Sequence, residues 1–310
     1  MACLLVSFAL IAAMGPAGAR PQAPVERSPG SLLIDAVALD RKDVPVMDLR
    51  QEEVEVWIGH YRVPIGTFTA VTPTTDERSG RLIVLVLDDM TLPLTSVPRA
   101  REVARRFVNK MSPGDRMAIV MVNGASMEST DDRSRLLRAI DTYDVRLTGV
   151  MRIEQLGQHV LKTVGALSRQ MAEAPEQRKT IVAIGRAGLF DTPLPPPETG
   201  ADLRREWIDA MRATAAANVN FYVIDPAGVG MGRVDGGARG FARETGGYAF
   251  ANTNDLNGAA DRIMREAGNY YLIGVGDPPN GRNADLRELD VRVLRRGVSI
   301  RARRAVIGGR

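Results

Sequence analysis

The sequence predicts an α/β sandwich: a mostly parallel central sheet covered by helices, with a small β-module built from the two ends of the chain. Three observations predict it. Between residues 81 and about 275, apolar runs of strand length alternate with amphipathic helical stretches, the pattern of a parallel sheet buried on both faces. Residues 31–72 and 286–305 instead alternate apolar and polar side chains with period two, as half-exposed strands do. The 310 residues, 45% apolar and 25% charged, suffice for a sizeable core and are not the composition of a disordered chain.

The elements follow in order. Residues 1–19 read as a signal peptide: "LLVSFALIAAMG" is apolar but too short to span a bilayer, and Ala17 and Ala19 form a small-residue cleavage site. The n-region "MAC" lacks the usual Lys or Arg. Residues 20–30 are a polar, Pro-rich linker, and 31–78 form an N-terminal β-strand segment in which Val54, Val56 and Ile58 share one face. Residues 79–275 form the α/β domain. "RLIVLVLD" is a buried strand, and "VPRAREVARRFVNKM" a helix burying Val97, Ala100, Val103, Ala104, Phe107 and Val108. "RMAIVMV", "KTIVAIG", "VNFYVID", "YAFAN" and "NYYLIGV" are further strands, with one aromatic ring of the Tyr270–Tyr271 pair expected in the core and the other near the surface. Between them lie a helix with an N-cap signal at Thr130, the long helix "RIEQLGQHVLKTVGALSRQM", and three more helices before residue 268. Residues 276–310 return to period two as a C-terminal β-hairpin segment turning at Gly297, its outward face rich in arginine, including Arg287, Arg292, Arg295, Arg301 and Arg303. Such a strip reads first as the wet face of an edge hairpin.

Composition narrows function. The net charge of +4 and 5% aromatic content do not suit a nucleic-acid binder, which needs a basic face and stacking rings. No later stretch has the 18 consecutive apolar residues of a membrane span, so the chain is expected to be secreted or periplasmic and soluble after cleavage. Cys3 is the only cysteine and precedes the cleavage site, so the mature chain has no disulfide, thiol catalysis or Cys-based zinc site. The two histidines, His60 and His159, lie in different segments, and no G-x-S-x-G elbow accompanies them, so a hydrolytic triad is unsupported. "GVGMGRVDGG" (228–237) stands too far after its strand for a dinucleotide fingerprint and reads as a loop.

The ordered set "VMDLRQEEVEVWIG", "LVLDD", "SPGDRMAIVMV", "TDDRSRLLRAID", "ANVNFYVIDPAGV", "ETGGYAFANTNDL" and "NYYLIGV" resembles the von Willebrand factor type A (VWFA)-related domain proteins of the acidobacterial type. The resemblance implies a Rossmann-like sandwich with its ligand crevice at the carboxyl ends of the strands. It also implies a metal-ion-dependent adhesion site made of Asp-x-Ser-x-Ser after the first strand, a Thr in a later loop and an Asp after the fourth strand. Carboxylates and hydroxyls at those places would give a hard cation an oxygen shell.

This chain departs from that pattern. Asp88 is in register with the first Asp, but Met90 and Leu92 stand where the serines should be. A one-residue shift to Asp89-x-Thr91-x-Pro93 restores one hydroxyl. Thr148 is the candidate loop Thr, Gly185 or Arg186 occupies the distal Asp position, and Asp191 lies several residues beyond. The metal set is therefore Asp88, Asp89, Thr91, Thr148 and Asp191, degenerate, with Arg186 expected to face Asp88 or Asp89 as an internal surrogate charge. The resulting expectation is a non-enzymatic VWA-like module that binds an unidentified protein partner through loops 88–96, 123–130, 144–151, 185–200 and 226–237, with no cofactor. A functional Mg²⁺-dependent adhesion module and an enzyme or nucleotide binder in the same crevice are the alternatives.

Overall fold

The computed structural model describes residues 32–73, 80–123, 126–145, 153–175, 178–187, 201–230, 237–276 and 286–307. Four strands open the chain: β1 (Leu32–Leu39), β2 (Val54–Ile58), β3 (Tyr61–Val63) and β4 (Ile65–Val71). The middle supplies β5 (Arg81–Leu87), β6 (Arg116–Met121), β7 (Arg178–Ile184), β8 (Val219–Ile224) and the two-residue β9 (Ala249–Phe250). Last come β10 (Tyr270–Val275), β11 (Leu286–Val293), β12 (Ser299–Ala302) and β13 (Ala305–Ile307). The helices are α1 (Val97–Asn109), α2 (Arg133–Asp141), α3 (Ile153–Ala172), α4 (Ala201–Ala217), α5 (Gly237–Glu244) and α6 (Leu256–Gly268).

The core is a five-stranded parallel sheet in the order β6-β5-β7-β8-β9. Pleating divides each run between two layers. Leu82, Val84 and Val86 face α3, α4 and α5, whereas Ile83, Leu85 and Leu87 face α1, α2 and α6. The register sets Leu87 level with Met121 and Ile184, and Ile184 level with Ile224, so the strands end flush. From β5 the chain moves outward to β6 and then returns to β7 on the other side of β5. That reversal opens the crevice at which open α/β sheets hold ligands. One boundary differs from the sequence reading: the cap of α2 is Asp132, which accepts the Arg135 N–H at 3.0 Å, while Thr130 Oγ1 accepts the Asp132 N–H at 3.1 Å.

The chain ends build a β-sandwich, as their period-two pattern predicts, but the C-terminal segment is not the expected hairpin. β11 and β12, on either side of Gly297, lie in different sheets because each faces the shared core from its own side. One sheet runs β12-β1-β10-β4 and the other β13-β11-β2-β3, both antiparallel. Their shared core holds Ile34, Val54, Val56, Ile58, Ile273 and Leu289. The strand "NYYLIGV" requires a correction. It is not the last strand of the parallel run but sits between β1 and β4 in the sandwich. The physical reason is that both its faces are covered. Tyr271, Ile273 and Val275 point into the sandwich core, while Tyr270 and Leu272 join Val37 and Leu39 in a separate cluster. A strand buried on both faces reads as a continuous apolar run whatever sheet it belongs to. Both rings of the Tyr270–Tyr271 pair are accordingly buried, and Tyr271 Oη donates to Val46 O at 3.1 Å.

The sandwich meets the α/β unit at the amino ends of the parallel strands through buried ions. Arg178, the first residue of β7, pairs with Asp35 of β1 at 2.7 Å. Glu266 of α6, fully buried, accepts from Arg262 at 2.9 Å and from Arg301 of β12. The arginine strip is therefore only partly a wet face: Arg303 is buried, Arg301 and Arg295 are engaged by Glu266 and Glu53, and Arg292 lies 5.0 Å over the Trp57 ring. Pairs of this kind add little net stability, but removing one partner costs about 3–5 kcal/mol because the other charge is left buried. With the amino ends of the strands covered, the carboxyl ends are the open end of the sheet.

Candidate functional site at the carboxyl ends of the sheet

Two of the apolar strands place carboxylates at this end. Asp88 and Asp89 follow β5, and Asp225 follows β8. Asp88 is 2% exposed and both of its carboxylate oxygens are engaged by the protein. Oδ1 accepts the Met90 N–H at 3.1 Å and the Thr91 N–H at 2.8 Å. Oδ2 accepts the Thr91 hydroxyl at 2.7 Å and the Arg186 N–H at 3.3 Å. The first two bonds form an Asx-type turn that folds the chain back after β5. The last ties this turn to the end of β7. Gly185 makes the approach possible: a Cβ there would lie 2.3 Å from Asp88 Cβ.

Around Asp88 the other strand ends are fastened in the same way. Asp89 Oδ1 accepts the Asn123 N–H at 2.9 Å, joining the loops after β5 and β6. Asp225 accepts the Ala187 N–H at 3.0 Å and the Ala227 N–H at 2.9 Å, joining those after β7 and β8. Tyr143, 1% exposed, donates its hydroxyl to the Asp88 carbonyl at 2.6 Å. Burial, and then the nearby charges of Asp88 and Asp89, push that phenol above its usual range, so it remains a donor. His159 of α3 contacts Val122 O through Nε2 at 2.8 Å. The carboxylates act as bolts between loops.

Arg186 does not play the expected part. Its backbone N–H reaches Asp88, but its side chain is exposed and, among the described residues, makes no ion pair with Asp88 or Asp89. Neutral donors, not a guanidinium, balance Asp88. The structure brings together Asp88, Asp89 and Thr91, while Thr148 and Asp191 lie outside the described residues. Asp225 and Tyr143 went unselected in the sequence. Asp225 carried a readable signal, since "VNFYVID" ends in Asp as "RLIVLVLD" does.

A divalent cation does not fit the described donors. A carboxylate offers about four lone-pair sites, and Asp88 already accepts four hydrogen bonds. The Thr91 hydroxyl donates its proton to Asp88 Oδ2, which leaves its oxygen as a single neutral donor. Among the described residues no three His, Cys, Asp or Glu side chains group as a metal site. Nor does the loop after β8 cradle a phosphate in its described part: the N–H groups of Val229 and Gly230 are directed to Asn254 Oδ1 and Asn252 Oδ1, at 3.4 and 3.1 Å. Among the described residues, Leu94 at 60% and Val229 at 57% are large apolar side chains exposed at this end. Arg99 spans their loops by donating to Ala227 O at 3.4 Å and to Asn254 Oδ1 at 3.3 Å.

Fold and site thus define an α/β protein with a sandwich-capped parallel sheet and a strand-end crevice closed by internal hydrogen bonds. No protein-family model matches the chain, and no curated protein matches it. Among solved structures, the chain is similar to an aerotolerance-related membrane protein from Bacteroides fragilis NCTC 9343 bearing multiple mutations to serines. That alignment has 14% identity, covers 61% of this chain and 98% of the other, and gives a TM-score of 0.40. It is also similar to the manganese-loaded TRAP protein of Plasmodium vivax, at 11% identity over 76% of this chain and 96% of that one, with a TM-score of 0.41. At these scores the fold description rests on this chain's own topology.

Proposed function

We propose that the chain is a secreted or periplasmic, non-enzymatic protein-interaction module of the von Willebrand factor A type, whose metal-ion-dependent adhesion site has degenerated into a hydrogen-bonded brace. The observation that carries this reading is the saturation of Asp88 by four protein donors at the place where the family's cation would sit. Three further features support it. The opposite end of the sheet is covered by the sandwich, the open end presents Leu94, Val229 and Arg186 to solvent, and the loops bearing them are pinned to a rigid sheet. Binding residues concentrate on loops held in that way. Among the described residues no helix is long and apolar enough to cross a membrane.

The test is capture from an envelope extract with wild-type protein and two surface variants. A partner that engages the strand-end loops is retained in EDTA, is lost with Leu94→Asp/Arg186→Glu, and survives Tyr61→Ser on the sandwich, where Tyr61 is 52% exposed. Capture that requires Mg²⁺, or that is lost only with the Tyr61 variant, would reject the proposal.

A further inference from the structure

Two chain crossings at one end of the sandwich form a tip. Residues 40–53 lead from β1 to β2, and residues 294–298 lead from β11 to β12. They run side by side, because Leu39 pairs with Ser299 in one sheet and Val54 with Val293 in the other. The tip is fastened from within. Asp40 Oδ1 accepts the Lys42 and Val44 N–H groups at 2.8 and 2.9 Å, and the chain turns through a left-handed Asp43 with φ 58°. Glu53 O accepts the Leu294 N–H at 2.8 Å, while Arg295 donates to Asp48 Oδ1 at 2.7 Å and to Glu53 Oε1 at 2.8 Å. On this braced frame Val44 is 49% exposed and Leu294 57%. Loops pinned in that way do not expose apolar side chains by fraying.

Charge decides what meets them. Segments 40–44 and 294–298 carry the charged residues Asp40, Arg41, Lys42, Asp43, Arg295 and Arg296. Asp43 is taken by Arg262 of α6 at 2.8 Å, and Arg295 by Asp48 and Glu53. That leaves three exposed cations, Arg41, Lys42 and Arg296, against the one carboxylate of Asp40. Among the described residues Arg41 and Arg296 make no ion pair. They are also neighbours, since a Cβ on Gly297 would lie 3.4 Å from Arg41 Nε. Two aliphatic side chains are too little for a protein interface, which buries about 800 Å² on each partner. They suit shallow insertion into a bilayer, where buried apolar area adds to the attraction between cations and anionic lipid.

We propose that this tip rests on an anionic phospholipid surface, with Val44 and Leu294 entering between headgroups that Arg41, Lys42 and Arg296 contact. The tip is a surface separate from the strand-end loops, so both can be occupied independently.

The test is co-sedimentation of the full mature chain with phosphatidylcholine vesicles that contain or lack phosphatidylglycerol. Binding should require phosphatidylglycerol and weaken as sodium chloride is raised, because salt screens exposed charges. Each cation near such a surface contributes about a fivefold factor, so Arg41→Gln/Arg296→Gln should lower the partition coefficient about 25-fold. Leu294→Ser should lower it about tenfold. Leu94→Ser, at the strand ends, should leave it unchanged. Each substitution alters an exposed side chain, and the melting curves of the variants should match that of wild type. No sedimentation with phosphatidylglycerol vesicles, or equal sedimentation with phosphatidylcholine alone, would overturn the proposal. Tip variants that bind as wild type does would overturn it too. So would capture of a protein that is lost with Leu294→Ser while vesicles are ignored, since the tip would then be a protein interface.

Discussion

Replacing Asp88 by alanine isolates what the carboxylate does. The side chain accepts from the N–H groups of Met90, Thr91 and Arg186 and from the Thr91 hydroxyl, and alanine leaves all four donors without it. A hydrogen bond to a charged group contributes about 1.5–3 kcal/mol, and a fully buried donor left unmet costs about 1–3 kcal/mol. Only the Met90 donor is fully buried; the other three lie in part-buried pairs where water can replace much of the loss. The expected destabilisation is therefore about 3–5 kcal/mol, well below the sum of four charge-assisted bonds. Asp88→Asn keeps one oxygen for the Met90 and Thr91 N–H groups and should cost about 1–2 kcal/mol. The assay is urea unfolding in EDTA, followed by the fluorescence of Trp57 in β2 and Trp207 in α4, which report the sandwich and the α/β unit separately. If Asp88 were instead a metal ligand, wild-type protein in EDTA would already have lost the stabilisation. An Asp88→Ala variant within about 0.5 kcal/mol of wild type under those conditions would refute the reasoning.

Three other outcomes are expected, two from the structure and one from the sequence. Gly185→Ala places a Cβ 2.3 Å from Asp88 Cβ, so urea unfolding should show a loss of about 1–3 kcal/mol or more; a neutral substitution would mean that the strand ends are not packed as described. The side-chain bond from Arg295, then the Arg50 N–H, hold the Glu53 carboxyl down at about 2 against an ordinary 4.5. A carboxyl lowered on folding stabilises fully above its unfolded value and loses that contribution as pH falls through its folded one. Glu53→Gln should thus flatten the stability profile between pH 4.5 and about 2, and an unchanged slope there would contradict it. Finally, N-terminal sequencing of protein recovered from the envelope or medium should begin at Arg20, after the Ala17-Gly18-Ala19 site; a chain retaining residues 1–19 would contradict the secretion reading.

What could be read in the sequence depended on how local the determining physics was. The run "RLIVLVLD" specifies β5 and its exit without help, because burial on both faces leaves one side-chain pattern. The joining of the chain ends was legible for a similar reason: Val54, Val56 and Ile58 declare one buried face and so need a partner sheet. The placement of β10 was not, since apolarity on both faces does not say whether the neighbours are helices or another sheet. At the site, Asp88 was visible but its partners were not. One of them is the main-chain N–H of a residue 98 positions away, and backbone donors carry no sequence signature. The guess that the Arg186 side chain would balance Asp88 named the right residue for the wrong atom. The buried Arg178 and Arg303 were equally hidden, because an arginine at a strand end looks like a solvent-facing one until a buried acceptor from another segment meets it.

On the proposed reading, protein donors hold Asp88 where a cation would otherwise sit. Isothermal titration of Mn²⁺ and of Mg²⁺ into EDTA-treated, dialysed protein tests it most directly, with melting curves taken on the same samples. No saturable heat is expected up to millimolar metal, and the melting temperature should be the same with and without it. One-site binding accompanied by a rise in melting temperature, both absent from Asp88→Asn, would contradict it.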